Sequence, residues 1–286
     1  MDLKQAAISV SMIAFVVSSM LGMGLGLRVS DIVAPLRDWR RVTLALVANF
    51  VVMPFAALAL ARMLRLEQSM GIGLLLLGMA AGAPFLPKLA QISKGNLAFA
   101  VGLMVLLMVI TVGYVPIVLP LLLPGVSVNP AQIAQSLVLL MLLPLGSALA
   151  LNANRPGLAA TIKPFFDKTS NLSLIALMAL QTLLNVRSVM AVFGTGAILA
   201  GVLFLAVGFG VGWALGGAAT ETRSVLGLGT AQRNIAAALV VANQSFDDPN
   251  VVVMVVVIAI VGLLTLMPLS RALGRRFAAA TAAPVS

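Results

Sequence analysis

The feature that most constrains this chain is the length of its uncharged stretches. No Lys, Arg, Asp or Glu falls within residues 95–154, and the same holds for 5–27, 42–61, 68–87, 169–186, 188–220 and 249–270. A helix of about 20 apolar residues crosses the ~30 Å hydrocarbon core of a bilayer and satisfies its own backbone there. Most of these runs are long enough for one crossing, and 95–154 is long enough for two with a turn between. A transmembrane barrel would instead show alternating segments of about ten residues, a pattern this chain lacks. The expected fold is therefore all-α and polytopic. Composition agrees: 61% of residues are hydrophobic and 9% charged, too few charges to cover the surface of a soluble domain. The first run is too long for a signal-peptide core and has no small-x-small cleavage pattern, so it reads as a retained helix.

Hydropathy and turn chemistry place helices at about 6–27, 40–64, 70–93, 96–123, 131–152, 168–187, 191–217, 221–244 and 250–271. Their connectors contain Pro124-Gly125, Asn129-Pro130, Arg155-Pro156-Gly157 and Asp247-Asp248-Pro249-Asn250, all turn formers. This gives about nine transmembrane helices in a single transporter-like domain over residues 1–286, with 272–286 as a short cytoplasmic tail. Basic residues orient the bundle. With the N-terminus outside, cytoplasmic segments hold Arg28, Arg37, Arg40, Arg41, Lys94, Arg155, Lys163, Lys168, Arg223, Arg271, Arg275 and Arg276. Outer segments hold Lys4, Arg62, Arg65 and Arg187. The positive-inside rule thus predicts a bacterial-type inner (plasma) membrane protein, N-terminus outside and C-terminus cytoplasmic. The net charge of +10 follows from these loops and does not indicate nucleic-acid binding.

Two cations fall within spans, Lys88 and Arg233. A bare charge at mid-membrane costs at least about 2.5–3.5 kcal/mol, so each needs a reason. Lys88 follows Gly82-Ala83-Pro84-Phe85-Leu86-Pro87, whose two prolines remove backbone donors and interrupt a helix. Arg233 follows Gly227-Leu228-Gly229-Thr230-Ala231-Gln232 and precedes Asn234, a second expected break. Gly82, Pro84, Pro87, Gly227 and Gly229 are the expected helix-breaking residues. The two broken helices are third of the first four and eighth overall, and they cross in opposite directions. This matches an inverted-repeat carrier, with repeats at about 6–123 and 131–271. Arg233, Lys88, Gln232 and Asn234 are the expected substrate-binding residues, their charge selecting a small organic anion. Alternatives stand beside each: Lys88 snorkelling to the interface, Arg233 capping carbonyls of a broken helix, and Gln232 and Asn234 capping the break. Asn49, Gln181 and Asn185 are polar residues within spans, suited to interhelical hydrogen bonds.

The chain has no Cys and no His, which removes thiol chemistry, disulfides and histidine relays. Its acidic residues lie in or beside loops. An intramembrane enzyme would need a nucleophile, metal ligands or paired acids in the bilayer, so no catalytic residue and no metal site is expected. A non-transporting receptor or assembly subunit on the same framework is the alternative to a carrier.

At the breaks the sequence resembles the bile acid:sodium symporter family. The cues are Met20-Leu21-Gly22-Met23-Gly24-Leu25, Ser93-Lys94-Gly95-Asn96-Leu97-Ala98 and Gln232-Arg233-Asn234-Ile235-Ala236-Ala237-Ala238-Leu239. The resemblance implies a panel domain and a core domain, two broken helices crossing near the substrate, alternating access, and sodium as coupling ion. In sodium-coupled members the first break reads like G-G-T-A-S-N. The register set by Gly95-Asn96 puts Leu86 and Pro87 at its Ser and Asn ligand positions. Hydroxyl ligands fall at Ala100 and Met104, and an acidic ligand at Leu228. Gln232 alone matches an ion-ligand position. Sodium-coupled and sodium-independent transport both stay open on this reading.

Overall fold

A computed structural model describes residues 3–33, 37–123, 129–184, 192 and 194–282. The Pro124-Gly125 turn, Asn185 and Arg187 lie outside the described residues. Among the described residues every regular element is a helix, with no strands. In chain order the helices are α1 Leu3–Gly24, α2 Val29–Val33, α3 Trp39–Met63, α4 Gln68–Met79, α5 Leu86–Ile92 and α6 Leu97–Leu122. Then follow α7 Pro130–Asn154, α8 Pro156–Leu184, α9 Ala197–Leu215, α10 Thr220–Ala231, α11 Ile235–Ser245 and α12 Pro249–Ala282. Seven segments are long and apolar enough to cross a membrane by length and composition, with α10–α11 taken as one of them. The chain is a multi-pass membrane protein.

Local chemistry accounts for the helix starts. Asp38, Asn96, Asn129 and Asn234 each accept a main-chain N–H of the first turn of the helix they precede, which satisfies donors that a helix leaves open. Two helices depart from regular α geometry: α3 contains a π turn at Ala48–Val52 and α7 one at Val138–Leu142. In each a proline follows the π turn, Pro54 or Pro144, whose ring disturbs the preceding hydrogen-bond ladder.

Helix α8 begins at Pro156, well before the expected 168. Proline is at home in the first turn of a helix, and the charges that suggested a loop form an i,i+4 pair on the helix surface, Lys163 with Asp167. Helix α12 likewise continues past 271 to Ala282.

Helices α1, α7 and α8 pack on one another. Glycine brings them close: a Cβ at Gly24 would lie 2.7 Å from the Leu145 carbonyl oxygen and from the Ala148 methyl. The remaining helices form a second group, with α4 held between α3 and α12, and α10 against α9, α5 and α6. Helix α11 touches both groups, since it meets α4 and α12 as well as α1 and α7.

Candidate functional site

Both expected breaks are present. The first is residues 80–85, between α4 and α5, where Gly82 adopts a left-handed φ of 79°. Only glycine takes this conformation without strain. A Cβ at Gly82 would also collide with the Met108 main-chain nitrogen and lie 2.6 Å from the Met104 carbonyl oxygen. Pro84 sits in this segment, whereas Pro87 occupies the first turn of α5.

The second break is residues 232–234, later than expected. Gly227 and Gly229 lie inside the regular helix α10. A glycine costs a helix only about 1 kcal/mol, and here both glycines serve close packing. A Cβ at Gly227 would lie 3.1 Å from the Phe209 ring, and one at Gly229 2.9 Å from Leu86.

Unwound backbone in an apolar interior must find partners for its freed groups, and the two breaks supply them to each other. The Asn234 N–H donates to the Ala80 carbonyl at 2.9 Å. Its side-chain Nδ2 donates to the Gly82 carbonyl at 3.1 Å, while Oδ1 accepts the Ala237 N–H at 3.1 Å to cap α11. Thr111 of α6 completes the first break: its hydroxyl accepts the Ala81 N–H at 3.0 Å and donates to the Ala81 carbonyl at 3.1 Å.

Arg233 lies at the centre of this crossing and is only 2% exposed. Its Nε donates to Leu77 O at 2.7 Å and its Nη2 to Gly78 O at 2.7 Å, both at the C-terminal end of α4. Nη1 donates to Thr230 O at 3.0 Å, in the last turn of α10, and to Asn49 Oδ1 at 2.7 Å. Asn49 lies in the π turn of α3 and also donates to Thr230 Oγ1 at 3.3 Å and Ala45 O at 3.0 Å. The guanidinium thus bridges the C-termini of two half-helices, where the helix dipoles concentrate partial negative charge. Among the described residues no carboxylate forms a salt bridge with it; the ion pairs are Arg41–Asp38 and Lys163–Asp167.

Lys88 is not brought to Arg233. It lies on the exposed face of α5, its Nζ 3.5 Å from Gln91 Oε1. Gln232 is half-buried beside the break, with its main-chain N–H bonded to Leu228 O at 2.8 Å. Leu86, Ala100, Met104 and Leu228 are all buried. Sequence reading singled out Asn49 as an interhelical hydrogen-bonding residue but missed Thr111. The available signal was the single threonine in the otherwise largely apolar sequence of α6. Tyr114, the single tyrosine, was also missed. Its hydroxyl donates to Phe50 O at 2.6 Å, a carbonyl within the π turn of α3.

A multi-pass helical chain whose two interrupted helices complete each other's backbone hydrogen bonds has the build of a membrane transporter. The chain belongs to the Sodium Bile acid symporter family, which it matches over residues 13–192. It is 25% identical over 245 residues to the probable sodium/metabolite cotransporter BASS6, chloroplastic, of Arabidopsis thaliana. That match takes in 81% of this chain and 60% of the plant protein's length. The family is one of transporters embedded in the membrane.

Proposed function

We propose that the protein is a secondary transporter of a small organic anion, working by alternating access in a bacterial-type inner (plasma) membrane. The observation that carries this reading is the crossing itself: two interrupted helices joined main chain to main chain around an arginine with no carboxylate partner among the described residues. Arginine retains its charge even in apolar surroundings. With no acid paired to it among the described residues, the positive charge favours an anion nearby. The N-terminal ends of α5 and α11, both starting at the breaks, add partial positive charge of the same sign.

In this reading α1, α7 and α8 form the panel and the other helices the core, in nine crossings with the N-terminus outside and the C-terminus cytoplasmic. The repeats run over about 6–123 and 131–271. Helix α11, which touches both groups, lines the moving boundary, and Gln232 beside the break contacts the substrate. Arg233 acts through its field, because its hydrogen bonds go to protein carbonyls. Substrate-dependent counterflow separates this reading from a receptor or assembly subunit on the same framework. The test is counterflow in proteoliposomes with radiolabelled acetate, benzoate, glutarate and taurocholate against matched neutral amides. Saturable counterflow of an anion, absent for its amide, is expected. Equal passage of amide and anion, or no counterflow of any, refutes it.

A further inference from the structure

We infer that Arg233 is a tethered cation occupying the place of a coupling ion, so that transport by this chain does not require sodium. The inference rests on the carrier reading for its transport consequence, but the cation site stands on the geometry of the crossing.

In carriers with interrupted helices, the groups that hold a monovalent cation are the C-terminal ends of half-helices and the carbonyls of unwound backbone. This chain has such a set of oxygens. Leu77 O and Gly78 O end one half-helix, Thr230 O is in the last turn of the other, and Asn49 Oδ1 joins from α3. All four are engaged by one guanidinium, at 2.7–3.0 Å. Left unpaired, buried carbonyls and converging dipoles would be costly. Arg233 supplies the donors and the charge together.

Apart from Gln232, the side chains of the rest of the crossing do not fit a sodium ion. Leu86, Ala100, Leu103, Met104 and Leu228 pack where α5, α6 and α10 meet, and all are buried. None offers a side-chain oxygen. Thr111 is committed to both polar groups of Ala81, and Asn234 to Gly82 and the α11 cap. A hard cation arriving from solution would have to displace the guanidinium from its oxygens and meet its charge.

Thermodynamic linkage gives the consequence. An ion gradient can drive an anion only if the ion binds and leaves, and does so with different affinity in states that differ in anion occupancy. A covalently attached guanidinium has no binding equilibrium with solution. It contributes the same positive charge in every state, so the carrier follows the anion's own gradient or exchanges one anion for another.

The experiment uses the full chain, purified and reconstituted, in sodium chloride or choline chloride of equal concentration. For the unmodified chain, anion counterflow and the thermal midpoint Tm are expected to be the same in both salts. A loss of counterflow of ~10-fold or more in choline, or a Tm raised by sodium, overturns the inference. Arg233→Ala opens the oxygen set to solution. Its Tm is expected to rise by about 3 °C or more on adding sodium or guanidinium, relative to choline. Arg233→Lys, which keeps a cation in place, is the second variant and is expected to stay indifferent to sodium. A sodium response in Arg233→Lys, or none to either cation in a folded Arg233→Ala, overturns the inference. If Arg233→Ala does not fold, the unmodified chain and Arg233→Lys decide it. Absence of counterflow from the unmodified chain in every salt refutes the carrier reading, while the melting comparison still decides the tethered cation.

Discussion

Thr111→Val separates hydrogen bonding at the first break from side-chain packing, because valine has nearly the shape of threonine. The hydroxyl of Thr111 is the partner of both the N–H and the C=O of Ala81, at 3.0 and 3.1 Å, and the side chain is fully buried. Removing it leaves two buried main-chain groups without that partner. An orphaned buried polar group costs about 1–3 kcal/mol. Interhelical hydrogen bonds within membrane proteins are on average worth only about 0.6 kcal/mol, which pulls the sum downward. A net loss of about 2–4 kcal/mol follows. At about 2–4 °C per kcal/mol for a domain of comparable size, Tm in detergent falls by about 5–15 °C. Thr111→Ser keeps the hydroxyl and loses one methyl, for about 0.8 kcal/mol. Melting followed by tryptophan fluorescence reports both variants against the parent. If valine melts within about 2 °C of the parent, or serine is as damaging as valine, then the hydroxyl does not hold the unwound segment in place.

Four further outcomes are expected. Gly82→Ala forces a Cβ against the α6 backbone at a left-handed φ and is expected to lose more than about 3 kcal/mol, seen as loss of a monodisperse peak in size-exclusion chromatography. Gly113→Ala in α6, where a Cβ meets nothing within 4 Å, is the matched control and is expected to behave as the parent. Gln232→Ala is expected to weaken the apparent anion affinity by ~10-fold, about 1.4 kcal/mol, in counterflow while Tm changes little; an unchanged affinity removes Gln232 from the substrate path. Lys88→Gln is expected to leave the counterflow rate within about twofold of the parent, because Lys88 is exposed and its polar neighbour is Gln91.

The parts of the fold legible in the sequence were those with a one-dimensional signature. Uncharged runs marked the long apolar helices, and Pro84 and Pro87 marked an interruption before α5. The second break was legible only approximately. Gly227 and Gly229 carry weak helix penalties that close packing against Phe209 and Leu86 absorbs, so the polar residues Gln232–Asn234 and not the glycines mark the unwinding. The start of α8 was hidden because Lys163 and Asp167 resemble loop charges until the helix pairs them. The π turns of α3 and α7 have no pattern of their own beyond a following proline. Arg233 was visible as an intramembrane cation, but its partners Leu77, Gly78 and Thr230 contribute main-chain oxygens, which no side-chain identity announces. Thr111 was missed for the related reason that its partner is the backbone of Ala81, in the first break.

The bond from the Asn234 N–H to the Ala80 carbonyl makes the two breaks one hereditary unit. Residues 233 and 234 serve carbonyls at Leu77, Gly78, Ala80 and Gly82, so neither break can be exchanged alone. A chimaera that imported one interrupted helix from a relative would set a foreign segment against carbonyls shaped for an arginine. Swapping both segments as a cassette preserves the match. Modularity in this protein therefore lies at the level of the crossing, with the single helix too small a part to trade.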